Sequence, residues 1–121
     1  MSRNLSGFST YIDNTKTLWL RTDQEYVNRY AFAALKDDGS VVTWGNSTNG
    51  GDSSSVSSSL TSGVSQIFAN EYCFAALKDD GSVVTWGHSS HGGNSSPVSS
   101  SLSSGVSQIF ANEYCFAALK D

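Results

Sequence analysis

Charge is scarce in this sequence, and positive charge is scarcer still. Lys and Arg number 7 and Asp and Glu 11, for a formal net charge of −4 over 121 residues. The basic residues are scattered and form no run. A nucleic-acid groove needs clustered Lys and Arg to displace condensed counterions, so no nucleic-acid partner is expected. Long apolar runs are also missing. No segment approaches the ~20 residues of a membrane-spanning helix, so no membrane partner is expected. Met1-Ser2-Arg3-Asn4 leads into polar sequence, so no secretory signal is visible and the default expectation is the cytoplasm. Without a signal, the sequons at Asn4, Asn46 and Asn94 read as products of an Asn- and Ser-rich composition.

The residues that usually carry chemistry are few. Cys73 and Cys115 occupy the same phase of an internal repeat, which makes them copies of one position. Two buried thiols are expected rather than a disulfide. His88 and His91 are the two histidines and the one candidate metal pair, but zinc needs at least a third ligand. Asn46 and Asn49 stand at the equivalent positions one repeat earlier, so the pair reads as solvent-facing loop residues. The glycine- and aspartate-bearing loop around Asp52 has too few carboxylates for calcium, and its second copy has Asn94 instead. Asp37-Asp38 and Asp79-Asp80 are adjacent carboxylates that turn chemistry explains. No Gly-x-Ser-x-Gly, phosphate-binding loop or His-Glu-x-x-His occurs. The expectation is a non-enzyme with no cofactor and no resident metal.

What is present is repetition. The string FAALKDDGSVVTWG occupies Phe32–Gly45 and returns unchanged at Phe74–Gly87, 42 residues later. GVSQIFANEYCFAALKD at Gly63–Asp79 returns at Gly105–Asp121, and QEYVNRYAF at Gln24–Phe32 is a diverged copy of its middle. Such a period marks a repeat architecture. The units run over 22–63 and 64–105, a partial unit covers 106–121, and residues 1–21 stand outside the pattern. All are expected to form one structural domain. Hydrophobic residues make up 38% of the chain, enough for a modest core.

Each unit carries a hairpin signal. Asp38-Gly39 and Asp80-Gly81 lie between apolar runs, and Asp-Gly tolerates the positive φ of a tight turn. With Asp80 and Gly81 as a two-residue turn, Leu77 faces Val84 and Ala75 faces Trp86. That register puts Cys73, Ala75, Leu77, Val84 and Trp86 on one face and Phe74, Ala76, Lys78, Val83 and Thr85 on the other. Both faces are largely apolar, so a hairpin covered on both sides is expected. A third strand, Val64–Ala69, pairs with it as a meander. Between hairpins, Val56, Leu60 and Val64 recur every four residues, as do Val98, Leu102 and Val106. Ser96 reads as an N-cap, Pro97 as a first-turn residue and Gly105 as a helix stop, which predicts a short helical turn packed on the sheet. Trp44 and Trp86, ending their strands before Gly45 and Gly87, are expected in the core between units.

The string Ala76-Leu77, Asp80-Gly81, Val83, Trp86-Gly87, with its first copy Ala34-Leu35, Asp38-Gly39, Val41, Trp44-Gly45, resembles the repeat of the regulator of chromosome condensation family. That resemblance implies a mainly β array of propeller-like blades. It covers the hairpin and stops there. Asn70 and Cys73 stand where the family has Gly and His, Gly-Gly-Asp or Gly-Gly-Asn follows the loop where it has Gly-Gln-Leu-Gly, and the unit is shorter. The family's nucleotide-exchange and chromatin contacts have no counterpart here. Two and a partial unit do not close a seven-bladed ring, so the expected fold is a partial propeller-like or stacked-sheet array. Its open edges invite pairing with other chains or a capping strand near Trp19. The expected role is a protein-interaction scaffold, self-associating or part of a longer array. Its contacts come from the loops that hold Asn46, Asn49 and Asp52 and, in the second unit, His88, His91 and Asn94. The alternative is a lectin-like module that stacks sugars on Trp beside those loops.

Overall fold

A computed structural model describes residues 27–121, and the expected capping role of Trp19 lies outside them. Among the described residues the chain is mainly β, with seven strands in three small antiparallel sheets. Strands β1 (Ala31–Leu35) and β2 (Val41–Gly45) form the first sheet. Strands β3 (Val64–Ala69), β4 (Cys73–Lys78) and β5 (Val83–Gly87) form the second as a meander, with β4 in the middle. Strands β6 (Val106–Ala111) and β7 (Phe116–Lys120) form the third.

The hairpin turn is one residue longer than the sequence reading has it. Lys78 N–H donates to Ser82 O at 2.9 Å and Gly81 N–H to Lys78 O at 2.9 Å, so Asp79, Asp80 and Gly81 form a three-residue loop. This is a type I turn closed by a residue at positive φ, here Gly81 at 82°. The extra bonds that favour it come from Ser82, whose amide and hydroxyl both donate to Asp80 Oδ1, at 3.0 and 2.6 Å. The first unit builds the same turn, with Ser40 on Asp38 at 3.0 and 2.6 Å.

One extra loop residue slides β5 by one position, and a one-residue slip changes which side chains share a face. Phe74 therefore pairs with Trp86, Ala75 with Thr85 and Ala76 with Val84. Phe74, Ala76, Val84 and Trp86 share one face, and Cys73, Ala75, Leu77, Val83 and Thr85 the other. This corrects both expected faces. The expectation that both are covered holds for the middle sheet, because the sheets lie against one another in chain order. One core joins Ala31, Val41, Leu60, Val64, Phe74, Ala76 and Trp86, between the first and second sheets. Another joins Phe68, Ala75, Leu77, Val106 and Ile109, between the second and third.

Backbone bonds fasten successive sheets at the turns. Gly39 O accepts from Val64 N–H at 3.0 Å, and Gly81 O accepts from Val106 N–H at 2.9 Å. The approach is close: a Cβ on Gly81 would lie 2.8 Å from Gly105 N.

The serine-rich stretches are ordered 3-10 segments, at Ser54–Ser59 and Ser96–Leu102, each kinked at its valine. Serine is a weak helix former, and i→i+3 bonding suits short runs. Pro97 sits in the first turn as expected, but the N-cap position is Ser95 and not Ser96. Gly105 lies beyond the C-cap residue Ser103, where it enters β6 and meets Gly81. Leu60 reaches the first core and Leu102 packs on the second, while Val98 is exposed.

Candidate functional site

The loops after Trp44-Gly45 and Trp86-Gly87 share one backbone and differ in side chains. Ser47–Asn49 and Ser89–His91 are single 3-10 turns, each closed by a glycine at positive φ: Gly50 at 107° and Gly92 at 104°. Asn46 caps the first turn, its side chain accepting from Thr48 N–H at 3.0 Å. His88 caps the second in the same way, with Nδ1 accepting from Ser90 N–H at 3.2 Å. Both residues carry an acceptor at the right reach, which is why Asn and His exchange at this position. Asp52 and Asn94 are also interchangeable: Asp52 Oδ1 accepts from Ser54 N–H at 2.9 Å and Asn94 Oδ1 from Ser96 N–H at 3.1 Å. The Ser54 hydroxyl, then its amide, hold the Asp52 carboxyl below the ordinary carboxylate range. These are turn bonds, and an amide makes them as well as a carboxylate.

The loops are anchored from behind by an asparagine series, of which the sequence shows Asn70 only as a departure from the family repeat. Asn28 Nδ2 donates to Asn49 O at 2.7 Å, and Asn70 Nδ2 donates to His91 O at 2.8 Å. The opposite ends of these amides accept backbone N–H groups: Tyr30 and Ala31 at Asn28, Tyr72 at Asn70, Tyr114 and Cys115 at Asn112. Asn70 is fully buried, and each amide closes the turn before its strand while gripping the loop when one is present. Their 42-residue spacing was the available signal.

The same turns raise a tyrosine column. Tyr30 and Tyr72 stack at 5.8 Å between ring centroids, and Tyr72 and Tyr114 at 6.5 Å. His91 lies against Tyr72 at 4.3 Å and Tyr114 at 5.4 Å. His88 and His91 are half-buried rather than solvent-facing, and their Nδ1 atoms lie 3.1 Å apart. With His88 Nδ1 accepting from Ser90 N–H, His91 Nδ1 can bond to it only as a donor that shares the same lone pair. No group of three or more His, Cys, Asp or Glu that could hold a metal occurs among the described residues. Arg29 Nε pairs with Glu71 at 2.6 Å and links the first two units along this rim.

The two cysteines differ, which corrects the expectation of two buried thiols. Both are free; Cys73 is buried and Cys115 exposed. Cys73 Sγ donates toward His88 O and His91 O, each at 3.1 Å, so the loop after β5 covers it. Burial pushes the Cys73 thiol up to about 11, which keeps it protonated and unreactive. Burial, then the Glu71 carboxylate, raises the Tyr72 phenol.

The tryptophans also part company. Trp86 lies in the core, and its Nε1–H donates to Gly50 O at 3.1 Å. Trp44, expected in the core, is exposed and stacks on Phe32 at 5.6 Å. No family model matches this chain, and no curated protein matches it at a significant level. No helix among the described residues is long and apolar enough to cross a membrane.

Proposed function

We propose that this protein is a non-catalytic repeat scaffold that contacts other proteins through the rim of loops after each Trp-Gly. The observation that carries this reading is the constant loop frame with variable letters. Asn46-Ser47-Thr48-Asn49 and His88-Ser89-Ser90-His91 keep the same cap, turn and glycine closure while changing the side chains along the rim. A binding surface diversifies in this way, since affinity depends on exposed side chains and the scaffold must not move. The hairpin's resemblance to regulator of chromosome condensation repeats supports a scaffold built of blade-like units, and none of that family's activities is carried over.

The test is a loop exchange. His88→Asn, Ser90→Thr and His91→Asn together write the first loop into the second unit. Quantitative affinity capture with the wild type and the exchanged chain should show at least one protein whose retention falls ~10-fold, a loss of about 1.4 kcal/mol, with circular dichroism unchanged. Identical retained sets would overturn the loop reading. One observation favours the glycan alternative, the exposed Trp44 face beside Asn46. Saturable, competable sugar binding on a glycan array, lost in Trp44→Ala with the fold intact, would establish it instead.

A further inference from the structure

The faces of the middle sheet are buried by its neighbours, and the two end sheets repeat those faces exposed, with no described sheet against them. Phe74 and Trp86 are 5% and 2% exposed, and their equivalents Phe32 and Trp44 on the outer face of the first sheet are 62% and 51% exposed. Phe68 and Leu77 are each 7% exposed, and their equivalents Phe110 and Leu119 on the outer face of the third sheet are each 51% exposed. The letters and register are the same in each pair. The first sheet therefore ends in the half of an interface that packs backward, and the third sheet in the half that packs forward. The internal contact between the second and third sheets, where Phe68, Ala75 and Leu77 meet Ile109 and Phe116, is the template for joining them.

We infer that a second copy of this chain docks head to tail on these faces, Phe32 and Ala34 of one copy against Phe110, Ala117 and Leu119 of the other. This rests on the scaffold reading and names its partner. On the first sheet the docking face is that of β1 and β2 alone, because position 25, which aligns with Ile67 and Ile109, is Glu and lies outside the described residues. The contact is heterologous: each copy offers two different surfaces, so association continues into rows or closes into a ring. Five-residue strands make a small contact, and an interface below the ~1,200 Å² standard implies micromolar or weaker affinity. Docking also extends the tyrosine column, with Tyr114 of one copy beside Tyr30 of the next.

The test uses the full chain in sedimentation velocity from ~10 to ~500 μM, the range such an affinity requires. One variant carries Phe32→Glu and Trp44→Glu, and a second carries Phe110→Glu and Leu119→Glu. Each keeps one face, so each alone should be monomeric while an equimolar mixture forms a 1:1 complex and stops there. Where a glutamate variant does not fold by circular dichroism, Phe32→Ala and Leu119→Ala replace it, and each should weaken wild-type association by at least ~10-fold. Association of the wild type that survives in either single variant, or a mixture that stays monomeric, overturns head-to-tail docking and leaves the loop-rim scaffold standing. A wild type that is monomeric throughout overturns it too. Sugar binding at Trp44 with no self-association replaces both readings with the glycan one.

Discussion

The hairpins β1–β2 and β4–β5 are spelled alike from Phe to Gly and occupy different surroundings. In β4–β5 the aromatic face lies on the first sheet and the alanine face on the third. In β1–β2 only the face with Ala31 and Val41 is packed against a described sheet. The backbone does not register the change: the turn bonds of Asp38 and Asp80 are the same length to 0.1 Å. Side-chain burial registers it fully. One smaller difference follows. Thr43 Oγ1 reaches Gly51 O at 3.1 Å and Ser53 Oγ at 2.9 Å, while Thr85 Oγ1 is buried with no partner among the described residues. Local structure here is set by local letters, and burial by position in the stack. Identical side chains should therefore contribute differently to stability.

The largest test is the tryptophan pair. Trp86→Ala removes a core ring and its bond to Gly50 O, and should cost about 3–5 kcal/mol. Trp44→Ala removes an exposed ring and should cost about 1 kcal/mol or less in dilute protein. Urea unfolding at low micromolar concentration measures both. Equal losses would mean that Trp44 is covered in solution.

The first-order architecture was legible for the same reason. Asp-Gly between apolar runs, alternation on both faces and the 42-residue period rest on short-range chemistry repeated in the chain. They led to hairpins, to the third strand Val64–Ala69 and to layered sheets. The register was missed because Asp-Gly alone does not distinguish a two-residue turn from a three-residue one. Ser82, with its two bonds to Asp80, makes that choice. Trp44 and Cys115 lie outside the expected core because a letter in an end sheet does not inherit its twin's neighbours. The loop letters Asn46, Asn49, His88 and His91 were found as variable positions. Their shared capping role, and the asparagines behind them, needed coordinates to see.

The thiols give a middle-sized test of end against middle. At pH 8 a thiol at about 11 is ionised ~10²-fold less than an ordinary one. Native protein should therefore react promptly with a disulfide reagent at one site, Cys115, and at Cys73 only when the structure opens. The raised pKa also fixes the sign of the pH dependence. Cys73 contributes its share of stability fully below the ordinary thiol value, and that share is lost as pH rises toward 11. A Cys73→Ala chain should show a flatter decline in stability over that alkaline range. Two fast thiols in the native state would place the loop of His88 and His91 away from Cys73.

The smallest expected effect lies where the two hairpins should not differ at all. Asp38 and Asp80 are exposed, and both carboxyls sit below the ordinary range because the hydroxyl of Ser40 or Ser82 donates to them, followed by the amide of the same serine. A depressed carboxyl stabilises the fold above its unfolded pKa, and the contribution is lost as pH falls through the folded value, so both turns weaken on the acid side. Ser40→Ala and Ser82→Ala should each raise the facing carboxyl toward its ordinary value, by equal amounts, in carbon-detected NMR titrations. Equality is the informative outcome, because every group that holds each carboxylate lies within the same short string of letters. A larger shift at Asp80 than at Asp38 would mean that stack position reaches into the turn through the Gly81 and Gly105 contact, and the separation of local structure from burial would fail at that point.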